Sequence, residues 1–290
     1  MFFLRTYLLA CRPKTWSASL CPVVMSAALA LSDGAFDILL FPFIVLTALG
    51  IQITTNFAND YFDFVKGADT IERKGPLRVV QAGLISVQAM QRAIVTLLLL
   101  TFLCSLPLLY RGGFAIAFLV LLSLALAILY TAGPYPIAYL GLGEFFVLLF
   151  YGPIAVGGAH YLLTDHFSWT ACLAGCSLGF FSSAILIANN LRDIETDRQA
   201  AKKTIPVRLG KKFGKIEYLL ALLGALLPIF PCCAKHPFLL LALLIVFPLF
   251  PLVRSLLKEK QDPQLLNQVF VGTAKLLWLY TFLFCIGWML

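Results

Sequence analysis

The stretch Asn56 to Arg78, NFANDYFDFVKGADTIERKGPLR, closes an apolar run of some twenty residues with carboxamides, carboxylates and then cations. A second stretch, Asn189 to Arg208, reads NNLRDIETDRQAAKKTIPVR and closes another. A shift of 130 positions lays Asn59 on Asn189, Asp63 on Asp193, Arg73 on Lys203, Pro76 on Pro206 and Arg78 on Arg208. Two similar helix ends facing each other across one polar site are therefore expected. Internal repeats of this kind build membrane proteins whose site lies between the halves.

The remaining composition agrees. Of the 290 residues 61% are hydrophobic and only 12% charged, with a mean hydropathy of +0.92. That excludes an ordinary soluble chain and predicts an all-α polytopic membrane protein. The net charge of +8 comes with no basic helix and no aromatic RNA-binding motif, so nucleic acid is not an expected partner. Eight cysteines lie mostly within apolar runs without metal-ligand spacing and read as small hydrophobes. His160, His166 and His236 fall at or near the side opposite the charged stretches and read as surface or interfacial residues.

Apolar segments at about 16–32, 38–59, 89–109, 113–131, 143–163, 168–190, 216–231, 237–253 and 269–289 predict nine transmembrane helices in a single domain, 1–290, around a central cavity. The start, MFFLRTYLLACRPKTW, reads as a short interfacial helix and not a signal peptide. Nine spans place all but three of the 22 Lys and Arg residues on one side, with Arg111 and Lys235 on the other and Lys275 within the last span. The positive-inside rule then makes the N-terminus and both charged stretches cytoplasmic.

On a helix, Asn56, Asn59, Asp60 and Asp63 share one face, as do Asn189, Asn190, Asp193 and Asp197. Carboxylates at a helix C-terminus oppose the dipole and call for a counter-charge, and Mg²⁺ is the hard cation suited to such oxygens. Mg²⁺ held by one or two carboxylates completes its shell with water and phosphate. The cations that follow, Arg73, Lys74, Arg78, Lys202, Lys203 and Arg208, suit a diphosphate. A lipid diphosphate, head at the charged face and tail in the apolar bundle, fits both halves of this description. Charged loops that merely balance one another explain one such stretch well, but not the same spacing at two helix ends.

The connection Tyr130 to Glu144, YTAGPYPIAYLGLGE, carries no Lys or Arg but is rich in Gly, Pro and Tyr. It reads either as a surface that approaches a ligand closely or as a tight helix connection with Glu144 near a helix N-terminus. A transporter is the reading from another class. It would place polar groups near the midplane on broken helices, whereas here they gather at one face and the span centres are almost purely apolar.

NFANDYFD at Asn56–Asp63 and NLRDIETD at Asn190–Asp197 resemble the two aspartate-rich motifs of the UbiA superfamily of intramembrane aromatic prenyltransferases. The opening RPKTWSASLCPVV is similar to that family's first span. NDYFDFVKGADTIERKGPLR, YTAGPYPIAYLGLGE and NNLRDIETDRQAAKKTIPVRLG are most similar to its 1,4-dihydroxy-2-naphthoate branch, of menaquinone synthesis. The resemblance runs from about Arg12 to Gly210 and continues beyond as hydropathy. It implies a nine-helix bundle in a bacterial cytoplasmic membrane, with Mg²⁺ bridging the aspartates and a polyprenyl diphosphate. Catalysis then rests on Asp60, Asp63, Asp193 and Asp197. One metal site draws on Asn59, Asp60 and Asp63, the other on Asn189, Asp193 and Asp197. Asn56 and Asn190 support them, Asp69 and Arg192 orient loop or substrate, and Tyr61, Tyr130, Tyr135 and Tyr139 face an allylic cation. The acceptor implied is 1,4-dihydroxy-2-naphthoate, with 4-hydroxybenzoate, homogentisate, haem and chlorophyll precursors as alternatives.

Overall fold

The structure, a computed structural model, describes residues 2–68, 75, 77–258 and 262–290, with side chains from Arg5 onward. Among these the chain is helical, without strands. Helix α1 (Phe2–Cys11) ends where Pro13 denies the backbone a donor and Arg12 takes a left-handed φ of 48°. After one 3₁₀ turn α2 (Trp16–Ser32) begins, followed by α3 (Phe41–Val65).

Helix α4 (Val87–Leu129) covers 43 residues. At 1.5 Å per residue that is roughly 65 Å, about twice the hydrocarbon thickness of a bilayer. It is two spans: Gly113 has φ 60° and ψ −154°, a conformation a helix cannot contain and a Cβ disfavours. Met90 near its start and Ile128 near its end both pack in one cluster with Phe57, so the two arms run antiparallel. Among the described residues eight helices are long and apolar enough to cross a membrane. With α4 counted as two, they are the nine spans expected.

The fifth expected span differs. Instead of one helix it is α5 (Gly143–Phe150) and α6 (Pro153–Thr164), broken at Tyr151–Gly152 ahead of Pro153. A Cβ on Gly152 would come within 2.9 Å of Gly179 Cα, so two helix backbones meet there through glycine. Their partner is α7 (Trp169–Arg192), lined with Ala, Gly and Ser and packed by α2, α5, α6 and the helices Lys211–Leu226 and Pro263–Met289. Short helices α8 (Ile194–Gln199) and α9 (Ile205–Leu209) carry the second charged stretch into α10 (Lys211–Leu226) and α11 (Ile229–Cys233). A nine-residue 3₁₀ run (Pro237–Ile245) precedes α12 (Val246–Leu257), and α13 (Pro263–Met289) starts on an Asp262 cap.

The largest core cluster joins α2, α7, α10 and α13 around Phe181, Tyr280 and Phe284. Large apolar side chains such as Leu99, Leu103, Phe118, Leu223 and Phe282 face outward. That distribution suits a lipid surround, because acyl chains are as apolar as the side chains they meet.

Candidate active site

Helix α3 ends on Gly67, φ 68°, with Ala68 N–H returning to Asp63 O in the manner of a glycine C-cap. Its last turns present the expected polar face, but the face divides. Asn56 and Asp60 turn toward the break after α1. Asn56 Nδ2 donates to Cys11 O at 3.0 Å, and Asp60 lies 3.8 Å from Arg12 Nη2 and 3.6 Å from Arg78 Nη1. Asp60 Oδ2 also accepts from Val79 N–H. Asn59 and Asp63 turn the other way. Asn59 Oδ1 accepts from Thr131 Oγ1, and Asp63 receives Arg78 Nη2 at 3.2 Å, Lys202 Nζ at 3.0 Å and Tyr139 Oη at 3.0 Å.

Helix α7 ends on the second motif. Arg192 clasps Asp193 with Nε at 2.8 Å and Nη2 at 2.6 Å, reaches Asn189 Oδ1 at 2.7 Å, and lies over the Phe270 ring. Asn190 points away from these, donating to Glu144 Oε1 at 2.7 Å. Asp197, on α8, stands 3.9 Å from Lys202 Nζ. Lys202 therefore touches acids of both motifs and joins the two helix ends, as the repeat suggested. Lys66 and Lys202 each lie 4.9 Å from the Tyr139 ring centroid. Burial lowers the Lys66 pKa, and Asp63 opposes that shift.

The two ends border one cavity of about 1020 Å³. Its polar rim holds Asn56, Asn59, Asp63, Arg78, Asn189, Asn190, Asp193, Asp197 and Lys202. Below the rim it is walled by apolar residues such as Val23, Ile44, Leu108, Ile116, Val120 and Leu162. Asp60 is buried behind this rim and holds the 78–80 segment. Lys203 and Arg208 also stand off it: Arg208 Nη2 donates to Leu140 O at an exposed position. Arg192 is spent on Asp193. Tyr130 lines the cavity and Tyr139 reaches it through Asp63, but Tyr61 packs edge-on against Phe62 and Tyr135 is exposed. Asp69, Arg73 and Lys74 lie outside the described residues.

Several cavity residues escaped the sequence reading. Tyr151 Oη donates to Gln52 Oε1 at 2.7 Å, and Gln52 Nε2 donates to Thr15 Oγ1 at 3.2 Å. Asn267 and Gln268 enter from α13, which starts earlier than its hydropathy suggested. Gln52 stands one helical turn before Asn56, a polar residue in an apolar run, and that was the available signal.

The donor set fits a hard cation, being carboxylate and carboxamide oxygen throughout. Among the described residues no three His, Cys, Asp or Glu side chains converge on a point. An ion here would be held by one or two carboxylates at a point and completed by the oxygens of a ligand.

The model of the UbiA prenyltransferase family matches residues 19–289. The chain is 35% identical to the 1,4-dihydroxy-2-naphthoate octaprenyltransferase of Escherichia coli (strain K12), over 98% of this chain and 94% of that one. It is 38% identical to the Haemophilus influenzae protein of the same name, over 73% and 71%. A solved UbiA homolog from Archaeoglobus fulgidus bound to GPP and Mg²⁺ superposes with a TM-score of 0.68, covering 96% of this chain and 99% of that one. At 14% identity that likeness is one of fold.

Proposed function

The chain belongs to the UbiA prenyltransferase family, and from that premise we propose that it transfers a polyprenyl group from polyprenyl diphosphate to 1,4-dihydroxy-2-naphthoate. Pyrophosphate and CO₂ leave, and demethylmenaquinone is the product, at the hydroquinone level. The observation that carries the reaction class is the division of the cavity: acids and cations of both repeats at one end, an apolar chamber below. The acceptor is supported by the names of the relatives similar over most of the chain. The charge asymmetry of the loops supports an inner membrane with the rim facing the cytoplasm.

The diphosphate occupies the rim, where Arg78 and Lys202 offer charged donors, and the prenyl chain occupies the chamber between Ile44, Leu108 and Ile116. Asn59, Asp63, Asn189, Asp193 and Asp197 would hold Mg²⁺, which when bound would neutralise the diphosphate charge and make pyrophosphate a better leaving group. The C–O bond breaks with its electron pair on pyrophosphate, and the electron-rich ring forms the new C–C bond. The Tyr130 and Tyr139 rings border the developing allylic cation, and the apolar walls keep water from it.

Product analysis tests the reading: purified protein with a polyprenyl diphosphate and either 1,4-dihydroxy-2-naphthoate or 4-hydroxybenzoate, with and without Mg²⁺. Prenylated product from the naphthoate alone, and only with metal, is expected. Product from hydroxybenzoate instead moves the acceptor, and none from either overturns prenyl transfer. Within the same assay Arg78→Ala should raise the prenyl diphosphate KM roughly 10- to 100-fold, the scale of one charged hydrogen bond. Arg208→Ala should change it less than about twofold, because its guanidinium is engaged by Leu140 O away from the rim. Equal effects of the two would place Arg208 in the site after all.

A further inference from the structure

Glu144 is a cavity residue to which the reaction has so far assigned no part. It is 9% exposed, at the N-terminal turn of α5. Every other acid bordering the cavity meets a cation: Asp63 meets Arg78 and Lys202, Asp193 meets Arg192, and Asp197 approaches Lys202. Glu144 meets none among the described residues. Its side-chain partner is the Asn190 carboxamide, on one oxygen, and its backbone carbonyl takes Ser183 Oγ, which fixes α5 on α7. The bare backbone at Gly143 brings further groups in. A Cβ there would lie 2.9 Å from Tyr130 Oη and 3.1 Å from Leu186 Cδ2. Tyr130, Val147 and Leu186 line the cavity together with the Glu144 carboxylate. Burial raises the Tyr130 pKa, and the nearby charge of Glu144 raises it further.

A carboxylate only accepts hydrogen bonds, so whatever meets its remaining oxygen must donate. The two substrates differ in this respect. A polyprenyl diphosphate offers an apolar chain and anionic oxygens, neither of which donates, and its charge is repelled. An aromatic diol offers hydroxyl donors on a flat apolar ring. We propose that Glu144 binds the aromatic acceptor, its carboxylate taking the hydrogen bond of one ring hydroxyl while Asn190 holds it in place. The inference rests on the aromatic prenyl transfer read from the same cavity. It also orients the acceptor, because Glu144 drives the substrate's own carboxylate toward the cationic rim.

Steady-state kinetics on Glu144→Gln and Glu144→Asp, varying each substrate in turn, test this. The acceptor series is 1,4-dihydroxy-2-naphthoate and its two monomethyl ethers, as substrates or competitive inhibitors. Glu144→Gln should lower acceptor kcat/KM roughly 10- to 100-fold, the scale of a hydrogen bond to a charged group. The prenyl diphosphate KM should stay within twofold, and Glu144→Asp should recover part of the loss. One ether should bind the wild type poorly and lose nothing further in Glu144→Gln, because the bond it lacks is the same one. Losses that add for both ethers, or an equal rise in prenyl diphosphate KM, overturn the assignment. Should Glu144→Gln fail to fold, Glu144→Asp with the same ethers decides: an unchanged acceptor KM counts against Glu144. A wild type active on the naphthoate beside an unaffected Glu144→Gln sinks the acceptor role alone. A wild type inactive on every acceptor sinks the parent reading and the inference with it.

Discussion

Asp63→Ala should lower kcat roughly 10²- to 10³-fold, the scale of losing a preorganised charge at a reacting centre, and leave the purified protein folded. Three groups from separate parts of the chain converge on Asp63: Arg78, Lys202 and Tyr139. Removing it deletes a rim oxygen donor and unfastens the contact by which Lys202 joins the two motifs. Folding survives because no cation is stranded. Arg78 keeps Asp60 at 3.6 Å, and Lys202 keeps Asp197 at 3.9 Å. Asp63→Asn preserves shape without charge and should lose nearly as much activity, since a carboxamide is a weaker ligand for a hard cation. Turnover at saturating substrate, beside a thermal melt, checks both. Near-normal Mg²⁺-dependent turnover in either variant removes Asp63 from the chemistry.

The parts of this architecture that follow one-dimensional rules were legible in the chain. Apolar length gave the spans, and an i, i+3, i+4 spacing put Asn59, Asp63, Asn189 and Asp193 on the inner faces of their helices. Even the turn inside α4 could be read, because 43 residues exceed what one bilayer accommodates and Arg111, Gly112 and Gly113 mark where they divide. What stayed hidden depends on three-dimensional neighbours. Asp60 has the same residue type and helix face as Asp63, yet it holds Val79 N–H behind the cavity, because α1 ends at Pro13 and delivers Arg12 to that side. Arg208 aligns with Arg78 in the repeat, but α9 carries it to Leu140. The Gln52–Tyr151–Thr15 contacts needed the break between α5 and α6, which hydropathy does not register because both halves are apolar.

Asp193→Ala should also abolish turnover but, unlike its repeat mate, should cost stability. Asp63 draws its cations from segments distant in sequence, whereas Asp193 is clasped by the residue before it, and the Arg192 side chain is fully buried. Without Asp193 the guanidinium retains Asn189, a long contact to Asn267 at 3.4 Å and the Phe270 ring, none of which carries charge. Removing one partner of a buried ion pair costs about 3–5 kcal/mol, and these remaining contacts place the expected loss near the lower end. The double variant Arg192→Met, Asp193→Ala takes the stranded charge away. It should recover most of the melting temperature and none of the activity, since the rim oxygen is still missing. A double variant melting as low as Asp193→Ala alone would show that the loss does not come from the unpaired arginine. Recovery in the double variant would show that the two halves of the repeat differ in how each acid is balanced: Asp63 by cations brought from elsewhere in the chain, Asp193 by its immediate neighbour.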